Sequence, residues 1–235
     1  MRFLPHLLRP TRAAAAAVIV VFSAILSIAL HGGLMGIPVV FILTSWFFKY
    51  AYILFDHTVW GHEEPPTLDI QMLNPLDEQR PLAQVLILGS IYAAVKFIEG
   101  TWDAGPAAVL AALGALAFPA SVAVMGLERD FLSAIYPVEI TRMIRSLGVM
   151  YLLVLAVIGV CIAGIGMLLK WVSMLPLELA LAMFGILSIF SVLAGALYER
   201  RNELGLETRR SPERTAELAR EAQRREHHAL VTSAR

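Results

Sequence analysis

The chain has 235 residues, 58% of them hydrophobic and only 16% charged, with a mean hydropathy of +0.69; soluble domains lie nearer half apolar and a quarter charged. Nineteen basic and nineteen acidic residues cancel, which excludes the one-signed field that nucleic acid or an acidic substrate would need. The single cysteine, Cys161, lies in an apolar run, so an internal disulfide is excluded, a cysteine-based metal site is not expected and the residue reads as packing.

Stretches apolar enough to cross a hydrocarbon core of ~30 Å run at Ala13–Leu30, Ile37–Phe55, Pro81–Phe97, Ala104–Met125, Leu147–Lys170 and Leu175–Leu197. The pattern predicts an all-α polytopic membrane bundle of six transmembrane helices, the third being the shortest and carrying Gln84 and Ser90. The opening "MRFLPHLLRPTR" also fits a signal peptide, but the eighteen-residue run after it exceeds an h-region of roughly 7–15 residues. Its best cleavage match, "SIA" at Ser27–Ala29, is poor, so the first run is expected to stay as a span. Polar breaks are expected at His31–Gly33, in an acidic loop Asp56–Arg80, at Ile98–Gly105, in an elbow Glu128–Arg145 and near Met174–Pro176.

Basic residues set the orientation, because short cytoplasmic loops keep lysine and arginine. With the amino terminus inside, Arg2, Arg9, Arg12, Lys49, Arg80, Arg129, Arg142, Arg145 and nine tail arginines fall on the inner side, seventeen of the nineteen. Lys96 and Lys170 fall at outer ends, where they can snorkel. The expected orientation has both termini cytoplasmic.

The inner elbows echo one another. "NPLDEQRPL" at Asn74–Leu82 and "YPVEITRMI" at Tyr136–Ile144 pair Pro75 with Pro137, Asp77 with Glu139 and Arg80 with Arg142. Proline suits a first helical position, an acid two residues on meets the positive end of the helix dipole, and an arginine three further can pair with that acid. Pro81 is expected to break the first copy after little more than a turn. The second places Tyr136, Ile140, Met143, Ile144 and Leu147 on one face, with Glu139, Arg142 and Arg145 opposite, an interfacial amphipathic segment. A unit of helix down, elbow, helix up would thus occur twice, related by an axis along the membrane normal.

"KYAYILFDHTVWGHEEPPTLDIQMLNPLDEQRPL" followed by "FPASVAVMGLERDFLSAIYPVEITRMIRSLG" resembles a family of uncharacterised multi-pass bacterial membrane proteins, similar in outline to Yip-type membrane domains. The likeness covers roughly Lys49–Gly148. It implies an inner-membrane helical bundle and no activity.

Chemistry-bearing clusters are few. "DHTVWGHEE" offers Asp56, His57, His62, Glu63 and Glu64 but no zinc spacing, and Gly61 interrupts any helix that would align the two histidines; the reading is a solvated loop without metal. Lys96 and Glu99 lie three apart near an outer end and are expected to neutralise one another. A transport pathway needs a polar group near the midplane, and none that is charged is expected in the central turns. Gly159, Ala163, Gly164 and Gly166 read as internal packing. No phosphate loop, nucleophile elbow or paired carboxylates appear, so neither an enzyme nor a cofactor is expected. The bundle, residues 1–197, gives way to a charged, partly helical cytoplasmic tail, residues 198–235, with nine arginines and seven glutamates. The expected role is an envelope scaffold that meets the bilayer along its spans and recruits a protein partner through elbows and tail. The alternative is a small transporter or channel.

Overall fold

The computed structural model describes residues 4–62, 65–66 and 79–204. Contacts divide the chain into two units, Met1–Glu199 and Arg200–Arg235. Of the second unit only a turn at its start is described, where the Leu204 amide donates to the Arg200 carbonyl (3.0 Å) and Arg200 pairs with Glu203 (3.1 Å). Asn74, Pro75 and Asp77 of the first elbow and the remainder of the tail lie outside the described residues.

Every regular element among the described residues is helical. A 3-10 segment, Leu4–Thr11, leads into α1 (Ala13–Leu30), α2 (Gly36–Val59), α3 (Gln79–Thr101), α4 (Ala104–Glu128), the short α5 (Phe131–Ile135), α6 (Pro137–Leu147), α7 (Val149–Leu169) and α8 (Leu175–Glu199). Six of these are long and apolar enough to span a membrane, namely α1, α2, α3, α4, α7 and α8. Consecutive spans reverse direction. The short links 31–35, 102–103 and 170–174 therefore share one face, here the hairpin face, while the terminal face carries the ends of α2, α4 and α8. Trp102 and Trp171 stand exposed at helix ends on the hairpin face, the interfacial position that amphipathic rings favour.

Several boundaries differ from the sequence reading. Pro81 does not break its helix but sits in the first turn of α3 and is buried, where its missing amide hydrogen would have had no intrahelical acceptor. The third span accordingly runs through 23 residues. Asp56 and His57 belong to α2 rather than to a loop, because that helix continues to Val59 before Trp60 and the positive-φ Gly61 turn the chain (φ 82°). At the other end of α3 the link shrinks to Trp102 and Asp103, whose carboxylate accepts the Ala104 amide (2.7 Å) and caps α4. Pro119 lies inside α4, and the Tyr151 hydroxyl of α7 donates to the Leu116 carbonyl in the turn that the proline loosens.

The packed centre is the seam between α2 and α8, with α1 beside it. Phe190 meets Tyr52 edge-on at 5.1 Å between centroids, Phe48 at 6.1 Å and Phe55 at 6.5 Å; Phe47 extends the cluster to Phe22 of α1 (6.4 Å). Such tilted pairs exceed simple area burial by about 0.5–1.5 kcal/mol each. Gly126 admits the Phe55 ring, which a Cβ there would strike at 2.3 Å. The remaining spans are peripheral: α7 is the least buried of the six and α3 follows it. The small residues of α7 correct the expectation of internal packing, because Gly159, Gly164 and Gly166 have open space where a Cβ would stand and Ala163 is exposed. Tyr151, Val154 and Ile158 are the buried stripe of α7, and Ile165 reaches the notch at Gly185 of α8.

Candidate functional site

Polar chemistry concentrates at the terminal face, within the packed bundle. Arg80, in the first turn of α3, is 4% exposed and forks onto Asp56 of α2, with Nη2–Oδ2 at 2.9 Å and Nη1–Oδ1 at 3.2 Å. Its Nη1 also donates to the Gly126 carbonyl of α4 (3.3 Å), and its guanidinium lies 5.0 Å above the Tyr52 ring. One arginine thus ties three spans together. A bidentate carboxylate pair and an aromatic face are the two partners for which a planar guanidinium is built. Tyr52 in turn donates to the Gln84 side-chain oxygen (2.7 Å), and Gln84 is wholly buried. Arg129, held in the left-handed region at the end of α4 (φ 58°), reaches Asp56 from outside at 3.5 Å.

The amino-terminal 3-10 segment closes the same face. Arg9 is buried and donates to the Thr58 hydroxyl and to the His62 carbonyl, both at 2.7 Å. The Ser188 hydroxyl of α8 donates to the Leu7 carbonyl (3.3 Å), and the His6 ring fills the notch left by Gly195, 2.4 Å from where a Cβ would sit. Burial first, and the positive charges of Arg9 and Arg12 second, hold the His6 imidazole below its ordinary pKa. The turn at Gly61 folds His62 back so that its ring lies 4.8 Å from that of His57. The two histidines come together through this turn, not through a shared helix face. Among the described residues no three histidine, cysteine, aspartate or glutamate side chains gather as metal ligands.

Lys49 departs most from the sequence reading. It was expected at the inner boundary, yet it lies in the middle of α2 and is 6% exposed, a buried cation in the central turns of a candidate span.

The second elbow forms α5 and α6. Asp130 caps α5, accepting the Ser133 amide (3.1 Å) and hydroxyl (2.9 Å), and these bonds hold its carboxyl below the usual range. Pro137 opens α6 at its first position, and Arg142 pairs with Glu139 at 2.6 Å. Ile140, Met143 and Ile144 are half-buried and Leu147 is fully buried, whereas Thr141, Arg142 and Arg145 are exposed. Tyr136 departs from the expected apolar face, since it is exposed where α5 hands over to α6. Near the hairpin face Lys96 and Glu99 pair at 2.8 Å with both side chains in the open.

Six apolar spans around a charged clamp define a multi-pass helical membrane protein, for which the lipid bilayer is the natural solvent. Comparison with protein-family models, with curated proteins and with solved structures finds no match to the chain. The likeness over Lys49–Gly148 therefore remains a resemblance, with no family identified. The signals missed in sequence are the buried ones. An arginine in the first turn of a span, an aspartate at the end of another and a lysine between aromatic residues are each costly in lipid, and that cost was the available clue to mutual burial.

Proposed function

We propose that the protein is a non-enzymatic component of a bacterial inner membrane, with both termini cytoplasmic, that holds a partner protein at its terminal face. The observation that carries this reading is the division of labour at that face. The bundle is filled along the α2–α8 seam by Phe48, Tyr52, Phe55 and Phe190, while α6 leaves Thr141, Arg142 and Arg145 uncovered. The domain division at residues 197/198 and the two-unit repeat belong to the same proposal. A rigid end with a charged, exposed rim suits recruitment.

Orientation is tested with a periplasm-active reporter, expected to be silent after Arg235 and active after Trp102; the opposite pattern would invert the assignment. Recruitment is tested by purifying the full chain and a chain lacking Arg209–Arg235 from native membranes at matched levels. A partner recovered only with the full chain supports the proposal, and identical recoveries sink it.

Lys49 favours a second reading, a small transporter or channel, because a buried cation within a span is a default candidate for an ion path. Ion flux into liposomes that is lost in a well-folded Lys49→Met protein would turn the assignment to transport.

A further inference from the structure

Where α3, α4, α5 and the start of α6 converge, they leave a half-open slot of about 260 Å³. Leu86 and Ile91 of α3 form one wall, Gly114 and Ala117 of α4 another, and Phe131 and Ile140 of the elbow the floor. The Ser121 hydroxyl on the wall donates its one hydrogen to the Ala134 carbonyl (2.8 Å), so it has no donor left for a ligand. Gly114 lets the helices close above, with Ile91 3.2 Å from the place of a Cβ. Apart from the Ser90 and Ser121 hydroxyls the described lining side chains are apolar, which gives water few polar partners there. An apolar chain gives up no hydrogen bond by entering.

Depth identifies the chain. Residues 86–91 and 114–121 begin about two turns, or ~10 Å, inward from the terminal-face ends of their helices, which places the slot inside the hydrocarbon region with its floor at head-group level. The medium outside an opening at that depth is phospholipid acyl chain. On the opposite side of α6, Arg142, Arg145, Thr141 and Ser146 line a broad exposed concavity. No described residue forms an ion pair with Arg145, so the elbow carries positive charge at the level of lipid phosphates.

We propose that this elbow is a phospholipid site, with one acyl chain held in the slot between α3 and α4 and an anionic head group favoured by Arg142 and Arg145. The site shares Arg142 and Arg145 with the rim to which partner recruitment is assigned, but lipid retention and partner recovery are read separately, so either can fail without the other. It gives the amphipathic elbow a specific lipid to stand on, rather than the average head-group layer.

Delipidated protein in detergent, titrated with phosphatidylglycerol or phosphatidylcholine of identical chains, is read by native mass spectrometry. One phosphatidylglycerol per chain should be retained with at least tenfold preference, weakened tenfold or more by Ala117→Phe, which fills the slot. Arg142→Gln with Arg145→Gln should abolish the preference and keep chain binding. Equal retention by Ala117→Phe, or no preference in the unaltered protein, overturns the proposal. Should Ala117→Phe fail to fold, the unaltered protein in vesicles containing a phosphatidylglycerol with a photoreactive acyl chain decides. Adducts concentrated in residues 86–91 and 114–121 support the site; adducts equally dense on the exposed surface of α7 refute it.

Discussion

Arg80 and Arg142 stand at matching places in two similar stretches of sequence, each three residues after an acid, and the structure gives them opposite surroundings. The Arg80 side chain is 5% exposed and forks onto Asp56, 24 positions earlier, and it also meets the Gly126 carbonyl and the Tyr52 ring. Arg142 is 69% exposed and among the described residues pairs with Glu139, one turn away. The difference lies in where each helix begins. α3 starts inside the bundle, between the ends of α2 and α4, whereas α6 lies on its rim. A local motif therefore fixes what an arginine can pair with, and tertiary position decides what that pairing is worth. Exposed pairs contribute about 0.2–1 kcal/mol, while removing one partner of a buried pair costs about 3–5 kcal/mol because the other charge is stranded.

The largest expected effect tests the buried side of this contrast. Asp56→Ala takes the carboxylate from Arg80 and should lower the stability of the purified protein by roughly 3–5 kcal/mol, read as an earlier unfolding transition in detergent. Glu139→Ala, the equivalent change on the rim, should shift it by no more than about 1 kcal/mol. Equal effects would erase the distinction between the two arginines.

A smaller effect is expected from the apolar side of the rim. Ile140 is half-buried on the floor of the α3–α4 slot, and Ile140→Lys should cost about 1–3 kcal/mol near an interface, seen as reduced accumulation in the membrane. A harmless Ile140→Lys beside a disruptive Arg142→Ala would mean that α6 presents its charged face to the bundle.

His6 extends the comparison to pH. Its folded-state pKa is depressed by burial and by Arg9 and Arg12, so the unfolded chain binds the proton more readily. The sign follows from linkage: the contribution is complete above the ordinary value of 6.5 and is lost as pH falls below it. Acidification from about pH 7.5 to about pH 5.5 should lower the unfolding midpoint more in the native protein than in His6→Asn. Parallel pH dependences would mean that the 3-10 segment does not rely on a neutral imidazole.

The features legible in sequence are local. Six spans follow from run length, α6 from its two-faced pattern, and the Glu139–Arg142 and Lys96–Glu99 pairs from a spacing of three. Asp56–Arg80 and Arg9–Thr58 were not legible, because their partners lie on different helices and no periodicity links them. Lipid removes a further clue: a membrane helix is apolar toward its neighbours and apolar toward the bilayer, so its pattern does not say which face is buried. That is why the open glycines of α7 read as core and why Lys49, between Phe48 and Tyr50, read as a boundary residue. In α6, which lies across the interface, the two faces differ in polarity and most of the assignment holds.

The smallest effect is expected at the hairpin face, where Lys96 and Glu99 repeat the acid–base pairing of the rim. Both side chains are about half in the open, at 57% and 49%, so water and salt screen the pair and each charge is solvated when the other is removed. Replacing both by glutamine leaves polar, hydrogen-bonding side chains, isosteric with Glu99 and one atom shorter than Lys96, while deleting two opposite charges. The double variant should therefore accumulate, unfold and function like the native protein in any cellular assay that reports on it. The terminal-face clamp predicts the reverse for the corresponding double change, Asp56→Asn with Arg80→Gln, whose groups are held by three helices at once. A Lys96 and Glu99 double variant that folds normally yet loses activity would show that the exposed pair serves a pathway, and would move the assignment of function from recruitment at the terminal face to transport.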